Sequence, residues 1–494
     1  MKMKSDNNYK YFHNVNLEAL KIFDHNSIKE ALQALDINGR GTLFVLDEKG
    51  ILQGIVTDGD IRRSLLKGVN INDRVCDVMN TSFVCLSVDA DNNEILASLS
   101  KKIKLIPLID KDSKLVDYAS IDRLHNISIS SPLLEGNELK YITECIHTNW
   151  ISSQGKFVRG FESLFEQYHS GYKALAVSNG TVALHLALAA LGIGKGDEVI
   201  VPDLTFAASV NAIIYTGATP VLVDVEMDSW NVSVDKIKKA ISSKTKAIMP
   251  VHLYGLPCNM EEIAAIAKEY KLFVVEDCAE ALGSTFIGRP VGTFGDAATF
   301  SFFGNKTITT GEGGMILFKD KVIAERAAML RDHGMNKNRR YWHDEVGYNY
   351  RLTNIQAAIG VAQFERLEEF VRRKRNTASI YNFRLGKYSF LRLPISNDEF
   401  YNSFWLYTLL VNEDAPFNRG DLMDFLKHRA VETRPVFFPL HSMPPYIDYG
   451  KSSELYNSIQ ISNTGMSLPS AVSLSEREAY YICDCIDQFV QNYI

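Results

Sequence analysis

No stretch of this chain approaches the roughly 20 consecutive apolar residues that a membrane-spanning helix needs. Its opening residues, Met1-Lys-Met-Lys-Ser-Asp-Asn-Asn8, are polar and lack the apolar segment of a secretory signal. We therefore expect a soluble, cytoplasmic protein with no membrane partner. An excess of positive charge is missing as well: 53 lysines and arginines stand against 59 aspartates and glutamates, a formal net charge of −6. That balance carries no electrostatic footprint for nucleic acid. The basic run Arg372-Arg-Lys-Arg375 lies in a stretch that also holds Glu365 and Glu368, which reads as a solvated helical face. The seven cysteines are odd in number, scattered, and without metal-ligand spacing. They point to no disulfide framework and no metal, and they fit a reducing compartment. At 494 residues, 46% of them hydrophobic, the chain is long for one domain and apolar enough for several cores.

What is present centres on Ser301-Phe-Phe-Gly-Asn-Lys-Thr-Ile-Thr-Thr-Gly-Glu-Gly-Gly314, which sets Lys306 between an apolar strand and a glycine-rich turn. An amine so placed condenses with an aldehyde once desolvation or nearby positive charge lowers its pKa, and glycines let backbone approach a planar cofactor closely. Lys306 is thus a candidate Schiff-base lysine; an isolated lysine is far more often a solvated loop residue, so the case rests on what surrounds it. Upstream, Leu272-Phe-Val-Val-Glu-Asp277 reads as a buried parallel strand with carboxylates at its C-terminal edge, where open α/β sheets bind ligands. A carboxylate there can keep a pyridinium nitrogen protonated and make pyridoxal phosphate (PLP) an electron sink. Asp277 is the candidate, the alternative being an aspartate that caps the next turn. In Val177-Ser-Asn-Gly-Thr-Val-Ala-Leu-His-Leu-Ala-Leu188, small residues open a helix whose free N–H groups and dipole favour an anion. Gly180 permits close approach there, and Thr181 offers an N–H and a hydroxyl. Phe206, in Pro202-Asp-Leu-Thr-Phe206, follows another apolar strand, so its ring either stacks on the cofactor or packs in the core.

Together and in this order, these motifs resemble the PLP-dependent nucleotide-sugar aminotransferases of the DegT type, within the fold-type-I superfamily. The resemblance covers residues 129 to 494. It opens at Pro132-Leu-Leu-Glu-Gly-Asn-Glu138 and Trp150-Ile-Ser-Ser-Gln-Gly155, continues through Gly196-Asp-Glu-Val-Ile-Val-Pro202 and Gly217-Ala-Thr-Pro220, and reaches Gly347-Tyr-Asn-Tyr-Arg-Leu-Thr-Asn354. It implies that Lys306 bonds the cofactor, that Asp277 pairs with the pyridine nitrogen, and that Gly180, Thr181 and Ser301 hold the phosphate with Phe206 against the ring. Glu280 matches a position beside the cofactor's 3-hydroxyl. Asn349 matches an asparagine that reaches the phosphate from a partner subunit, which implies a homodimer or higher homo-oligomer; the Gly-Tyr-Asn-Tyr run also has turn chemistry of its own. Family members with histidine in place of Lys306 act as sugar dehydratases, so the lysine favours transamination.

The implied reaction takes an amino group from L-glutamate and delivers it to the ketone of a nucleotide-linked 4-keto-6-deoxy sugar, in ping-pong order. Phe303-Gly-Asn-Lys-Thr-Ile-Thr-Thr-Gly-Glu-Gly-Gly314 and Val431-Glu-Thr-Arg-Pro435 resemble signatures of the perosamine synthase-like members, which use GDP-4-keto-6-deoxymannose in surface polysaccharide (O-antigen) biosynthesis. Aminotransferases acting on UDP-linked N-acetyl-4-keto sugars share most of these motifs and stay open as an alternative. So do a PLP-dependent sugar dehydratase and a nucleotide-sensing regulator without turnover. Arg434 and His185 are candidate substrate contacts, although an arginine in a C-terminal domain commonly makes a surface or interdomain pair.

The first 125 residues contain an internal near-repeat. Glu30-Ala-Leu-Gln-Ala-Leu35 leads to Thr42-Leu-Phe-Val-Leu-Asp47 and Gly54-Ile-Val-Thr-Asp-Gly-Asp-Ile-Arg62, and Glu94-Ile-Leu-Ala-Ser-Leu99 leads to Leu105-Ile-Pro-Leu-Ile-Asp110 and Leu115-Val-Asp-Tyr-Ala-Ser-Ile-Asp-Arg123. Each copy reads helix, strand, strand, helix. This resembles a tandem pair of CBS motifs (a Bateman module), with Asp73-Arg-Val-Cys-Asp-Val-Met79 as the link. Such modules bind adenine nucleotides through the threonine and aspartate of a Gly-Ile-Val-Thr-x-x-Asp signature, which Thr57 and Asp60 match. The second copy keeps Asp122 but sets Val116 and Ala119 against Gly54 and Thr57, which implies at most one intact site. A purely structural or dimerising module is the alternative.

The expected organisation is α/β throughout: a tandem CBS module over 1–125, a large PLP-binding domain over 126–385, and a small C-terminal α/β domain over 386–494. Asn126-Ile-Ser-Ile-Ser-Ser-Pro132 reads as a short polar link. Strands within 198–206, 219–225, 246–254, 272–278, 297–303 and 313–318 alternate with helical stretches, the pattern of a mostly parallel sheet covered on both faces. One helix from about 354 to 385 leads into the C-terminal domain.

Overall fold

The computed structural model describes residues 17–88, 90, 92–100, 103–120, 127–450 and 452–493. The polar opening segment and Asp122 lie outside the described residues. The chain separates into two compact units, Met1–Asn126 and Ile127–Ile494.

In the first unit, β1 (Lys21–Phe23) runs parallel to β2 (Thr42–Leu46), which pairs antiparallel with β3 (Leu52–Thr57). Between β1 and β2 lies α1 (Ile28–Asn38), opened by a Ser27–Glu30 capping box and closed by Gly39 at φ 61°; α2 (Asp58–Leu66) follows β3. The pattern repeats: β4 (Leu86–Ser87) runs parallel to β5 (Leu105–Ile109), which is antiparallel to β6 (Leu115–Ser120), with α3 (Asn92–Ser98) between β4 and β5. Both copies carry a register shift at the same place, between Val45 and Leu46 and between Leu108 and Ile109. Leu52 donates its N–H to the Ser113 carbonyl at 3.1 Å and Leu115 donates to the Gly50 carbonyl at 3.4 Å, so the two hairpin turns bond each other reciprocally. Gly50 and Ser113 adopt matching left-handed conformations, φ 79° and 59°. Phe44 and Leu46 share a core with Leu105, Leu115 and Tyr118.

This register corrects the alignment of the two copies. Gly54 lies opposite Val45 and Thr57 opposite Thr42; their counterparts opposite Leu108 and Leu105 are Asp117 and Ser120, not Val116 and Ala119. The hairpin loops have equal length, and a one-residue slip would turn every side chain of the strand to the other face. The spacing of the aspartates misleads because Asp122 falls one position short of the place that Asp60 holds.

The second unit opens with α4 (Glu138–His147) and α5 (Lys156–Tyr168). A seven-stranded sheet then forms from β7 (Lys173–Val177), β8 (Glu198–Pro202), β9 (Thr219–Val223), β10 (Thr245–Ile248), β11 (Phe273–Asp277), β14 (Ala297–Ser301) and β15 (Gly314–Phe318). The short β12 (Thr285–Phe286) and β13 (Arg289–Pro290) pair outside it. The spatial order is β7-β15-β14-β11-β10-β8-β9, and β15 alone runs against its neighbours. Helices α6 (Gly180–Ala190), α7 (Ala208–Tyr215), α8 (Val234–Ala240), α9 (Met260–Tyr270) and α10 (Lys321–Arg331) lie between strands. Alternation divides the core: Leu175, Val177, Ile316 and Phe318 pack with α6 and α10 on one face, while Ala174, Ala176, Met315 and Leu317 pack with α5 and α11 (Asn354–Phe364) on the other. On that second face Phe161 and Phe165, both fully buried, meet edge to face at 5.3 Å.

The expected single helix from 354 to 385 is two, α11 and α12 (Leu367–Leu385), parted at Arg366, where φ is −112° and ψ 10°. Glu365 at the break accepts bonds from Asn137 and the Tyr141 hydroxyl, both at 2.7 Å, which fixes the end of α11 against α4. Beyond α12 a four-stranded antiparallel sheet follows, in the order β16 (Leu391–Arg392), β18 (Tyr407–Val411), β20 (Gly465–Leu468), β19 (Arg434–Pro435). Here β17 (Phe400–Tyr401) joins β12 instead. This sheet carries α13 (Arg419–Lys427), α14 (Tyr456–Thr464) and α15 (Glu476–Gln491).

The basic run 372–375 is not the wholly solvated face its charge suggested: Lys374 of α12 is buried at the root of this second sheet, and its Nζ donates to the carbonyls of Trp405 (3.1 Å) and Ser470. Burial pulls its pKa down to about 7. An unfolded lysine titrates near about 10.4, so between about pH 7 and pH 10 the unfolded chain binds a proton that the folded chain does not. Stability is therefore expected to rise with pH across that window and to be flat below it. Urea unfolding midpoints measured from pH 6 to pH 10 should climb in the wild type and lose that climb in Lys374→Met.

Candidate active site

The end of β11 sets two adjacent carboxylates on opposite faces of the sheet. Glu276 points away from the crevice and accepts N–H bonds from Gly292 (2.8 Å), Phe294 (2.8 Å) and Gly295 (2.7 Å), with His252 Nε2 at 3.2 Å. Burial raises its pKa, but the contacts with His252 and the backbone outweigh this and hold it below the usual carboxylate value. Glu276, His252 and Cys278 have ligand atoms within 4.8 Å of one another. His252 Nδ1 accepts the Cys258 N–H at 3.0 Å, so with Nε2 turned to Glu276 the imidazole has no lone pair left for a metal.

Asp277 faces the crevice and is 4% exposed. Its Oδ2 accepts from Ser209 Oγ at 2.8 Å and its Oδ1 from the Ala279 N–H at 3.1 Å. Burial raises its pKa against these bonds and the nearby Lys306 charge. Glu280, in the turn after β11, accepts the Tyr254 N–H at 2.9 Å and lies 3.6 Å from Lys306 Nζ. Burial pushes Glu280 up to about 7, with Lys306 opposing. Lys306 sits on the turn that follows β14, its own N–H bonded to the Phe303 carbonyl at 2.9 Å. Burial lowers its pKa, while Glu280 and Asp277 pull the other way. Two carboxylates with raised pKa values thus accompany one amine with a lowered pKa, as reactive centres require.

The start of α6 closes the crevice. Asn179 caps the helix through the Val182 N–H (3.0 Å), and Gly180 meets β14 so closely that a Cβ there would lie 2.8 Å from Ser301 Cβ. Gly180, Thr181 and Ser301 therefore adjoin, with the first N–H groups of the helix beside the Ser301 hydroxyl. Phe206 is 60% exposed, its ring 5.9 Å from that of Phe437. Three other candidate residues stand apart from the Lys306 group in the chain. His185 is buried against Tyr215 and Tyr348, with Nδ1 3.1 Å from the Tyr350 hydroxyl. Asn349 is exposed and accepts from Arg351 Nε at 3.2 Å. Arg434 is exposed, 3.4 Å from Glu432. In the first unit, Thr57 and Asp60 bond each other as a capping box of α2, and Asp60 also takes Arg63 at 2.6 Å. Three residues with no motif of their own join the site: Ser209 on Asp277, Tyr254 on Glu280, and Trp405, whose ring centre lies 3.7 Å from Lys306 Nζ. Ser209's place three residues after Phe206 was the one available signal.

The family model described as DegT/DnrJ/EryC1/StrS aminotransferase matches residues 132–487, and the CBS domain model matches residues 17–67. The chain is 50% identical to the GDP-perosamine synthase of Escherichia coli O157:H7 over 74% of its own length and 98% of that protein's. It is 44% identical to the GDP-perosamine synthase of Vibrio cholerae, over 74% of this chain and 99% of that one. Among solved structures, the PLP form of a putative sugar aminotransferase from Streptococcus pneumoniae superimposes with a TM-score of 0.71 at 26% identity, covering 75% of this chain and 100% of that one. A mostly parallel sheet with a carboxylate and a lysine meeting at its edge, matched along nearly the whole of these relatives, places the chain in the DegT/DnrJ/EryC1/StrS family, as a PLP-dependent aminotransferase carrying an N-terminal CBS domain.

Proposed function

We propose that this chain moves an amino group from L-glutamate to C4 of GDP-4-keto-6-deoxymannose, making GDP-perosamine for a surface polysaccharide. The observation that carries the substrate is the identity to GDP-perosamine synthases along almost their entire length. The site fits the cofactor: the buried Asp277 carboxylate has only Ser209 and Ala279 as hydrogen-bond donors among the described residues, so a protonated ring nitrogen would satisfy it. The Gly180 and Thr181 end of α6, with Ser301, supplies the donors a phosphate needs.

When bound, PLP supplies an electron sink for the pair left on a carbon that loses a proton. Lys306 Nζ supplies the covalent hold, and its amine takes a proton from Cα of the donor and returns it elsewhere in the same half-reaction. Asp277, with its carboxylate held by Ser209 and Ala279, would face the ring nitrogen and keep it protonated. Glu280, its pKa pushed up by burial, holds Lys306 from the other side. Phe206 and Phe437 wall the open face. Asn349 and its exposed turn fit a reach into a second copy's site, in a cytoplasmic homodimer, and Thr57 and Asp60 fit an adenine nucleotide at the CBS module.

Incubating the PLP-loaded protein with glutamate and a panel of 4-keto nucleotide sugars tests this reading. GDP-perosamine and 2-oxoglutarate are expected in equal amounts; turnover of a UDP-linked N-acetyl sugar alone overturns the substrate, and loss of a hydroxyl without 2-oxoglutarate overturns transamination. Gly180→Ala is expected to weaken PLP binding about tenfold, which is about 1.4 kcal/mol, because its Cβ displaces Ser301; equilibrium dialysis measures it.

A further inference from the structure

Lys306 Nζ lies between two groups, Glu280 Oε1 at 3.6 Å and the indole face of Trp405, 3.7 Å from the ring centre. The indole is held on several sides. Its Nε1–H donates to the carbonyl of Asn305, the residue just before Lys306, at 2.8 Å, and Ser130 Oγ donates to the same oxygen at 3.1 Å. The Trp405 carbonyl accepts from buried Lys374, and the ring stacks on Tyr254 at 6.1 Å and 9°. Tyr254, held at φ 54°, gives its N–H to Glu280. Amine, indole, Tyr254 and carboxylate therefore form a closed circuit, Tyr254 meeting the indole with its ring and the carboxylate with its backbone N–H, and the two groups that flank the amine brace each other.

We propose that Trp405 is a positioning residue of the amino-transfer reaction: its indole face is the seat on which the Lys306 amine rests whenever no bond ties it to the cofactor, and that face favours the ammonium form. The inference rests on the role proposed for Lys306. In each half-reaction the freed amine takes one proton from carbon, becoming an ammonium, and gives one proton back, returning neutral. Between those events it must hold a charge in a buried site and stay aimed. Water would do the first but not the second; an aromatic face does both, because the ring quadrupole attracts the cation without supplying a base to take its proton.

The test uses the full-length protein loaded with pyridoxamine phosphate, in which Lys306 is free. The pKa of Lys306 is read from the pH dependence of its labelling by an amine reagent, followed by mass spectrometry of the peptide that carries it. Trp405→Leu is expected to lower that pKa by about one unit, tenfold in proton affinity, and Trp405→Phe to keep it. In turnover, kcat should fall about tenfold in the leucine variant with KM for glutamate little changed, and the phenylalanine variant should recover most of it. A folded leucine variant with the wild-type Lys306 pKa and kcat overturns the proposal. Should leucine not fold, Trp405→Met, also without a ring, is measured in its place against the same criterion. If instead the wild-type protein, treated with PLP and borohydride, carries no cofactor on Lys306, the role of the lysine fails first, and the two failures are told apart.

Discussion

Replacing Lys306 by alanine is expected to abolish turnover and the visible absorbance of the lysine-bound cofactor while leaving the protein folded. The lysine would serve as both covalent anchor and proton carrier, and a positioned acid–base group alone contributes about 10²- to 10⁴-fold. With both functions gone, activity should drop by about 10⁴-fold or more. Folding is insulated from the change. The turn that holds residue 306 is closed by its backbone N–H on the Phe303 carbonyl, which alanine keeps. Alanine leaves Glu280 buried without its cation, but a carboxyl whose pKa burial already raises takes up a proton rather than staying charged, so the fold should persist with a modest drop in melting temperature. The neighbour that feels the loss is Glu280, whose raised pKa is partly restrained by the Lys306 charge and should rise further. Circular dichroism, the visible spectrum and the sugar-nucleotide assay read these three expectations separately. An alanine variant that keeps its absorbance and more than about a tenth of its turnover would move the chemistry to another residue.

The parts of this architecture that were legible in the sequence are those whose signal is local. The carboxylates of β11 follow an unbroken apolar run, and the glycines around Lys306 sit within eight residues of it, so strand, edge and lysine could be read together. Strand β7 was not in the expected set because two of the five residues of Lys173-Ala-Leu-Ala-Val177 are alanine, a residue depleted in strands; its pairing with β15 across more than a hundred residues decides the matter. The break between α11 and α12 carries no proline or glycine and is made by the bonds of Glu365 to α4. In the first unit the repeat itself was visible, but its register was not, since a misleading aspartate outweighed a loop length that only strand pairing reveals. At the site, adjacency concealed the difference between Glu276 and Asp277: one is saturated by three backbone N–H groups and the other is not. Trp405 was invisible because its contact with the lysine turn spans 100 residues.

That difference makes Asp277→Asn the sharpest test of how the cofactor is used, as distinct from how it is held. Asparagine has the same shape, and its amide oxygen can still accept from Ser209 Oγ at the loss of the Ala279 N–H bond, so the strand end and its packing should persist. The groups assigned to the phosphate, Gly180, Thr181 and Ser301, and the lysine itself are untouched, so PLP should still bind and still colour the protein. What is lost is the charge: a neutral amide cannot keep a ring nitrogen protonated in a buried crevice, whereas a carboxylate whose desolvation is only partly offset gains from the pairing. Removing one preorganised electrostatic partner of this kind costs about 10²- to 10³-fold in rate. The expected result is therefore a coloured, folded enzyme with kcat down by that factor and PLP affinity changed far less, measured by single-turnover kinetics beside cofactor dialysis. If affinity falls as steeply as rate, Asp277 acts as a holding group and the electron-sink role lies elsewhere. Ser209→Ala separates the two from a second direction. It leaves the carboxylate in place but removes its 2.8 Å brace, so a modest loss of rate of about tenfold, without loss of colour, follows from disorder of the charge alone.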